Sequence, residues 1–232
     1  MAGTAIVWRP NVAALSQRFR VYAVDVPGQP NLSVLTRRIR NRQEQALWFT
    51  DLLDALGERK ASIVGNSYGG FLALSQACQT PERVDQLIMI SPAGTFTPLG
   101  FSFLLRVAIP TLLGREGGDT MRAVQNGLPL DEDWMGLVAL ATKHGRMSNV
   151  GFPPRPLPAS ELRRLRTAPL LIIGDHELMY RPEEELALAR RHIPTLEGRI
   201  APGANHIAAM SNPELLNRWM LARLGGEEAV AA

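Results

Sequence analysis

Ala61-Ser62-Ile63-Val64-Gly65-Asn66-Ser67-Tyr68-Gly69-Gly70-Phe71-Leu72-Ala73-Leu74 decides how this chain is read. Ala61 to Val64 is an apolar run of strand length. Tyr68 to Gln79 is an apolar run of helix length, closed by Pro81. Between them, Gly65-Asn66-Ser67-Tyr68-Gly69 leaves no room for a loop, so strand must pass to helix at Ser67. A serine at so sharp a turn takes a strained backbone conformation. Side chains two residues before and after it would collide, which calls for glycine at both places. The pentapeptide alone is a modest signal; the strand before it and the helix after it give it weight.

Outward from this turn, short apolar runs alternate with longer amphipathic ones. That is the pattern of an α/β protein, a mostly parallel sheet with helices on both faces. Val21 to Val24 reads as a buried strand stopped by Asp25 and Pro27-Gly28. Arg38 to Leu56 reads as a helix, with Ile39, Ala46, Leu47, Phe49, Leu53 and Leu56 on its apolar side and Gly57 ending it. Val84 to Ile90 and Leu170 to Ile173 read as strands, the second stopped by Gly174. Glu183 to His192 carries acids in its first turn and arginines in its last, as the helix dipole favours. Gly198 to Ala201 is a short strand, and Pro213 to Leu224 a final helix with Asn212 as N-cap. Between Gly94 and Arg166 the alternation breaks into helical pieces followed by Pro153, Pro154, Pro156 and Pro158. The expected organisation is a core of residues 1–93 and 167–232 with a helical insertion at 94–166.

The chain has 232 residues, 46% of them apolar and 20% charged, enough for one large core and unlike a disordered tail or a coiled coil. Its single cysteine, Cys78, cannot form an internal disulfide, so no oxidising compartment is called for. Four scattered histidines offer no metal-ligand spacing, and no loop is built to cradle a phosphate, so neither metal nor cofactor is expected. The net charge of +3 is small for this length. Arginine groups at 37–42, 163–166 and 190–191 lie on helix-like stretches without interleaved aromatics, so they read as solvated faces and nucleic acid is not an expected partner. No export signal and no membrane-length apolar run appear, which predicts a cytoplasmic location. The sequence is open to a homodimer.

Ser67 needs a base to become a nucleophile. His144 and His192 lie among arginines on helix-like stretches and read as solvated. His206, in Gly203-Ala204-Asn205-His206 between the last strand and the last helix, occupies a loop at the carboxyl end of a parallel strand, where such sheets gather active groups. A base of this kind needs an acid to fix its tautomer. The loop after Leu170–Ile173 offers Asp175 and Glu177, and no acid lies between Ser91 and Leu99. The chain order is then serine, acid, histidine.

These pieces make the chain resemble the α/β-hydrolase fold superfamily, of the helical-lid, cofactor-free kind. Arg20 to Asp25 with Pro27-Gly28, the turn Gly65 to Gly70, Leu170 to Glu177, and Gly203 to His206 followed by Asn212-Pro213-Glu214 carry the resemblance. It implies that the acid stands three residues after the strand-ending glycine, which is Glu177. It implies a cofactor-free serine hydrolase in which Ser67, Glu177 and His206 cleave a carboxylic ester or similar small-molecule acyl substrate through an acyl-enzyme. The backbone amide of Tyr68 would be one oxyanion donor, and the second would fall near Ala2. The insertion would form a lid with Phe96, Phe101, Phe103, Leu104, Trp134, Met135 and Met147 as apolar material. Trp134, Met179 and Ile207 are the expected substrate contacts. A carbon–carbon bond hydrolase, a lactonase or a receptor-like binding protein of the same fold are the alternatives.

One departure stands at the front. The family places a hairpin and an apolar strand ending in His-Gly before the segment that opens this chain, so a longer native product is expected. Without that strand, Val21–Val24 and Ala61–Val64 would face each other across about 9–10 Å, twice the interstrand spacing.

Overall fold

A computed structural model describes residues 4–29, 31–100, 132–144 and 151–226. After a single 3-10 turn (Ala5–Trp8), α1 spans Arg9–Ser16, α2 Arg42–Ala55 and β1 Ala61–Asn66. Then follow α3 (Tyr68–Gln79), β2 (Val84–Ile90), α4 (Glu132–His144) and α5 (Ala159–Leu162). The chain closes with β3 (Leu170–His176), α6 (Pro182–His192), β4 (Glu197–Asn205), α7 (Ala208–Ser211) and α8 (Pro213–Gly225). The four strands lie in sequence order and every neighbouring pair is parallel.

The two central strands show why helices cover both faces. Successive side chains of a strand point to opposite sides. Leu87, Met89, Leu171 and Ile173 pack with Phe71 and Leu74 of α3 and Leu186 of α6. Ile88, Ile90, Leu170 and Ile172 pack with Leu15 of α1 and Leu216 and Met220 of α8. All eight strand side chains are essentially solvent-free. Such continuous apolar runs are what a sheet buried on both faces requires.

The element ends follow local chemistry. α2 begins at Arg42 rather than Arg38 because Asn41 caps it. The Asn41 side chain accepts from the Glu44 amide at 2.9 Å while Glu44 accepts from the Arg40 amide at 2.8 Å, a reciprocal cap that fixes the start. Ala46 and Leu53 of its apolar side are buried, whereas Leu47 is 61% exposed. Gly57 adopts φ +74° and its amide closes onto Asp54, as a C-terminal glycine should. β3 and β4 run longer than their apolar stretches, to His176 and Asn205. The apolar pattern marks only the buried part of a strand, and here polar residues continue the pairing.

The expected strand at 21–24 is absent. Residues 20–26 are irregular, and Tyr22 and Ala23 are exposed. An apolar run becomes a strand only when its backbone groups find a ladder, and among the described residues nothing pairs with the outer edge of β1. Asp25 organises this region instead: its carboxylate accepts from the amides of Ala5 (2.7 Å) and Leu32 (3.2 Å). Of the insertion, residues 101–131 and 145–150 lie outside the described part, and with them Phe101, Phe103, Leu104 and Met147. Phe96 packs into the core with Tyr68 and Phe71 rather than standing free over a pocket.

Candidate active site

Ser67 sits one residue beyond β1 and caps α3 with φ +54° and ψ −119°. Its amide donates to Ile90 O of β2 at 2.9 Å, so the strained residue is fixed by the neighbouring strand. A Cβ at Gly65 would lie 2.2 Å from Gly69 O and 2.7 Å from Gly70 N. The backbone turns so tightly that position 65 excludes any side chain. Gly69 differs from expectation, because a Cβ there meets nothing within 4 Å. The crowding comes from the Gly69 carbonyl, not from its missing side chain.

The Ser67 hydroxyl lies 2.8 Å from Nε2 of His206. Nδ1 of the same ring faces both Glu177 oxygens, at 3.0 Å and 2.9 Å. The His206 side chain is 7% exposed and that of Glu177 is fully buried. Glu177 Oε1 also accepts from the amides of Leu178 (2.8 Å) and Met179 (3.0 Å). Burial pushes the Glu177 carboxyl up, but the facing His206, with the Met179 amide and Ser91, outweighs it and holds the group below its ordinary value. The carboxylate therefore stays ionised beside the ring.

Asp175 takes a different part. Its carboxylate accepts from the amides of Gly203 (3.0 Å) and Ala204 (3.1 Å). It pins the end of β4 against the end of β3 while Glu177 reaches the histidine. His192 and His176 are exposed, and His144 lies on α4.

Sequence reasoning missed Asn66. Its Nδ2 donates to His206 O at 3.2 Å, tying the serine turn to the histidine loop. A polar residue at the end of an otherwise apolar strand was visible, but its partner lies 140 positions away. Asn205, nearly solvent-free, accepts from the Ile207 amide at 2.8 Å and shapes the same loop.

Tyr68 opens α3, so its amide has no partner within the helix and is free to serve the site. Its ring is buried, stacked on Phe71 at 5.9 Å, and its hydroxyl donates to Phe152 O at 2.9 Å. Burial pushes the phenol up to about 12. Ala2, expected near a second oxyanion donor, lies outside the described residues. Trp134 and Ile207 come together: both are buried, in one apolar cluster with Ile6, Val7, Met135 and Met210, directly beside His206. Met179 is half-buried and stands apart from that cluster. Among the described residues no group of three or more His, Cys, Asp or Glu is placed to hold a metal, and no helix is long and apolar enough to cross a membrane.

A sequence model of the alpha/beta hydrolase family matches residues 2–219. The chain is 28% identical over 239 residues to the carboxylesterase YbfK of Bacillus subtilis, covering 96% of this chain and 77% of that protein. The crystal structure of YbfK superposes with a TM-score of 0.86 at 26% identity, over 96% of this chain and 80% of that one. The crystal structure of naproxen esterase, carboxylesterase NP of Bacillus subtilis, does so with 0.83 at 28% identity, over 94% and 78%. A shorter match, 39% over 87 residues, joins 36% of this chain to 30% of the 2-hydroxymuconate semialdehyde hydrolase of Pseudomonas putida.

Proposed function

The chain belongs to the alpha/beta hydrolase family, and from that premise we propose that it is a cofactor-free carboxylic ester hydrolase working through Ser67, His206 and Glu177. The observation that carries this reading is the continuous relay from Ser67 Oγ to His206 Nε2 (2.8 Å) and from Nδ1 to the Glu177 carboxylate (2.9 Å). The full-length likeness to two carboxylesterases supports the ester as substrate; the carbon–carbon hydrolase match spans about a third of the chain.

Glu177 holds the His206 ring with Nε2 toward the serine. His206 takes the Ser67 proton as Oγ attacks the ester carbonyl. The oxyanion accepts from the Tyr68 amide. Collapse expels the alcohol, protonated by His206, and leaves an acyl-serine. Water, deprotonated by the same ring, releases the carboxylic acid and restores Ser67. Ionised Glu177 stabilises the imidazolium at both stages, worth up to about 10⁴ in rate in triads of this kind.

Trp134, Ile207 and Met179 contact the apolar part of the substrate, and the insertion at 94–166 serves as the lid. The location is cytoplasmic, and nucleic acid is not a partner. The test is hydrolysis of p-nitrophenyl esters from acetate to octanoate, with Ser67→Ala and a fluorophosphonate probe beside it. The expected result is turnover and probe labelling, both lost in Ser67→Ala. Hydrolysis that survives Ser67→Ala overturns the assignment. A folded protein that cleaves no ester but splits a vinylogous diketone replaces ester hydrolysis with carbon–carbon cleavage.

A further inference from the structure

In the loop that leads to α2, Asn31-Leu32-Ser33-Val34 turns its polar side chains inward and its apolar ones outward. Asn31 Nδ2 donates to Val26 O at 2.9 Å, and the Ser33 hydroxyl donates to Asp25 O. Asn31 Oδ1 accepts from the Ser33 amide at 2.9 Å, and the Asp25 carboxylate accepts from the Leu32 amide at 3.2 Å. With Asn31 and Ser33 tied back to the chain, Leu32 and Val34 face solvent. They are 93% and 83% exposed, the two most exposed large apolar side chains among the described residues. Single exposed aliphatics are ordinary. Two that are held outward by the bonds of their polar neighbours form a surface.

Three arginines stand beside them. Arg37, Arg38 and Arg40 are exposed, while half-buried Ile39 lines a narrow apolar cleft with Tyr68 and Phe152. Arg42, the next in line, pairs with Glu161 at 2.7 Å. No acidic residue lies between Asp25 and Glu44 in the sequence. Both of those carboxylates already accept from backbone amides, Asp25 from Ala5 and Leu32, Glu44 from Arg40. The loop therefore presents two aliphatic tips followed by a run of positive charge. Asn31 and Ser33 anchor it at one end and Ile39 at the other.

That combination selects the occupant. Anionic headgroups attract guanidinium groups, which fork onto phosphate oxygens. The boundary between headgroups and acyl chains takes the aliphatic tips. A single-stranded nucleic acid calls for aromatics on which bases stack, and residues 31–40 contain none. A stable protein interface takes about 800 Å² from each partner, more than two aliphatic side chains supply. We propose that the loop at 31–40 is a docking surface for an anionic phospholipid bilayer. Leu32 and Val34 enter the interface, and Arg37, Arg38 and Arg40 lie on the headgroups. Docking holds the candidate site near the lipid. The Asp25 carboxylate that fixes Leu32 also fixes Ala5, and Ile6 and Val7 of that turn pack with Trp134 and Ile207 beside His206.

The experiment sediments the full chain with vesicles of phosphatidylcholine alone and of equal parts phosphatidylcholine and phosphatidylglycerol. It is run at low salt and at about 1 M salt, where charges are screened within about 3 Å. The expected result is binding to the anionic vesicles only, weakened at high salt. Each arginine near such a surface strengthens binding about fivefold. The triple variant Arg37→Gln, Arg38→Gln, Arg40→Gln therefore binds about a hundredfold more weakly, and Leu32→Ser with Val34→Ser at least about tenfold more weakly. Both variants keep the parental Tm, because all five side chains are exposed. A parent that does not sediment with anionic vesicles overturns the proposal. So does binding that the Leu32→Ser, Val34→Ser variant keeps in full, since charge alone then suffices. Without vesicle binding, a dimer that this variant dissociates gives the surface to a second copy of the chain. Without vesicle binding, arginine-dependent capture of a single-stranded oligonucleotide gives it to nucleic acid. Either outcome overturns the lipid. Ser67→Ala binds vesicles as the parent does, so failure of the triad reading and failure of this surface are read separately.

Discussion

Gly174→Ala tests whether the splay between β3 and β4 sets the distance from acid to base. Gly174 pairs with Ala201, after which the register shifts so that His176 faces Asn205. A Cβ at 174 would lie 2.2 Å from Ala204 O, 2.6 Å from Asn205 O and 2.7 Å from Ala204 C. All three are backbone atoms, so no side chain can turn aside. A carbon and an oxygen in contact need roughly 3.2 Å, and the repulsion below that is steep. The loop must therefore retreat by about 1 Å. The residues pushed are the two that precede His206, while Glu177, whose amide donates to Gly174 O at 3.2 Å, stays with β3. The contact from Nδ1 to Oε2 would open from 2.9 Å to nearly 4 Å, beyond a hydrogen bond. A misplacement of this size costs about 10² in rate, and complete loss of the acid about 10⁴. The expected kcat for a p-nitrophenyl ester lies between those limits, with overpacking costing about 1–3 kcal/mol in stability. Gly136→Ala, at an exposed position of α4 with nothing within 4 Å of its Cβ, is the control and leaves kcat unchanged. A Gly174→Ala protein that unfolds cooperatively and keeps kcat within threefold of the parent refutes the reasoning.

Gly69→Ala keeps near-parental turnover because its Cβ enters open space, whereas Gly65→Ala, at 2.2 Å from Gly69 O, abolishes labelling by a fluorophosphonate; equal behaviour of the two contradicts this account of the turn. Tyr68→Phe leaves kcat within a few-fold, since the site uses the Tyr68 amide, and costs about 1 kcal/mol in a denaturant titration by orphaning Phe152 O; a hundredfold loss of kcat gives the hydroxyl a chemical role. Glu177→Gln lowers kcat about 10⁴-fold, while Asp175→Asn, replacing a carboxylate that accepts from the Gly203 and Ala204 amides and lies 3.8 Å from the exposed His176 ring, affects stability alone; the reverse outcome exchanges their roles. Glu185 is raised above its ordinary value of 4.5 by burial, with the Glu177 charge adding and the Thr97 and Phe96 donors opposing. Its folded form binds the proton more tightly than its unfolded form, so stability falls as pH rises from 4.5 through the raised value and stays lower above it. Glu185→Gln, which keeps an acceptor for Thr97, therefore raises Tm at pH 8 and loses that advantage at pH 4; no gain at pH 8 contradicts the sign.

The sequence by itself determined what depends on neighbours along the chain. Gly65 to Gly70 dictates a strand, a sharp turn and a helix, because only that path accommodates those residues. The apolar runs at 87–90 and 170–173 are legible as strands buried on both faces, for no half-exposed strand is so uniformly apolar. Proline, asparagine and acid placement at 182–185 and 212–213 start two helices through chemistry confined to one turn. Ser67 and His206 were legible as candidates for the same reason: each follows directly from the end of a strand.

The tertiary structure decided what depends on partners far apart in the chain. Asp175 and Glu177 stand two residues apart, and local chemistry does not separate them. The side chain of one meets the amides of Gly203 and Ala204 and that of the other meets Nδ1 of His206, because the β3–β4 register turns them to different neighbours. Val21–Val24 looked like a strand and is irregular, because a strand is a property of two segments and not of one. Ser91 carried no signal at all: a serine after an apolar run is ordinary until its positive φ and the bond from its amide to Ile172 O of the adjacent strand are seen.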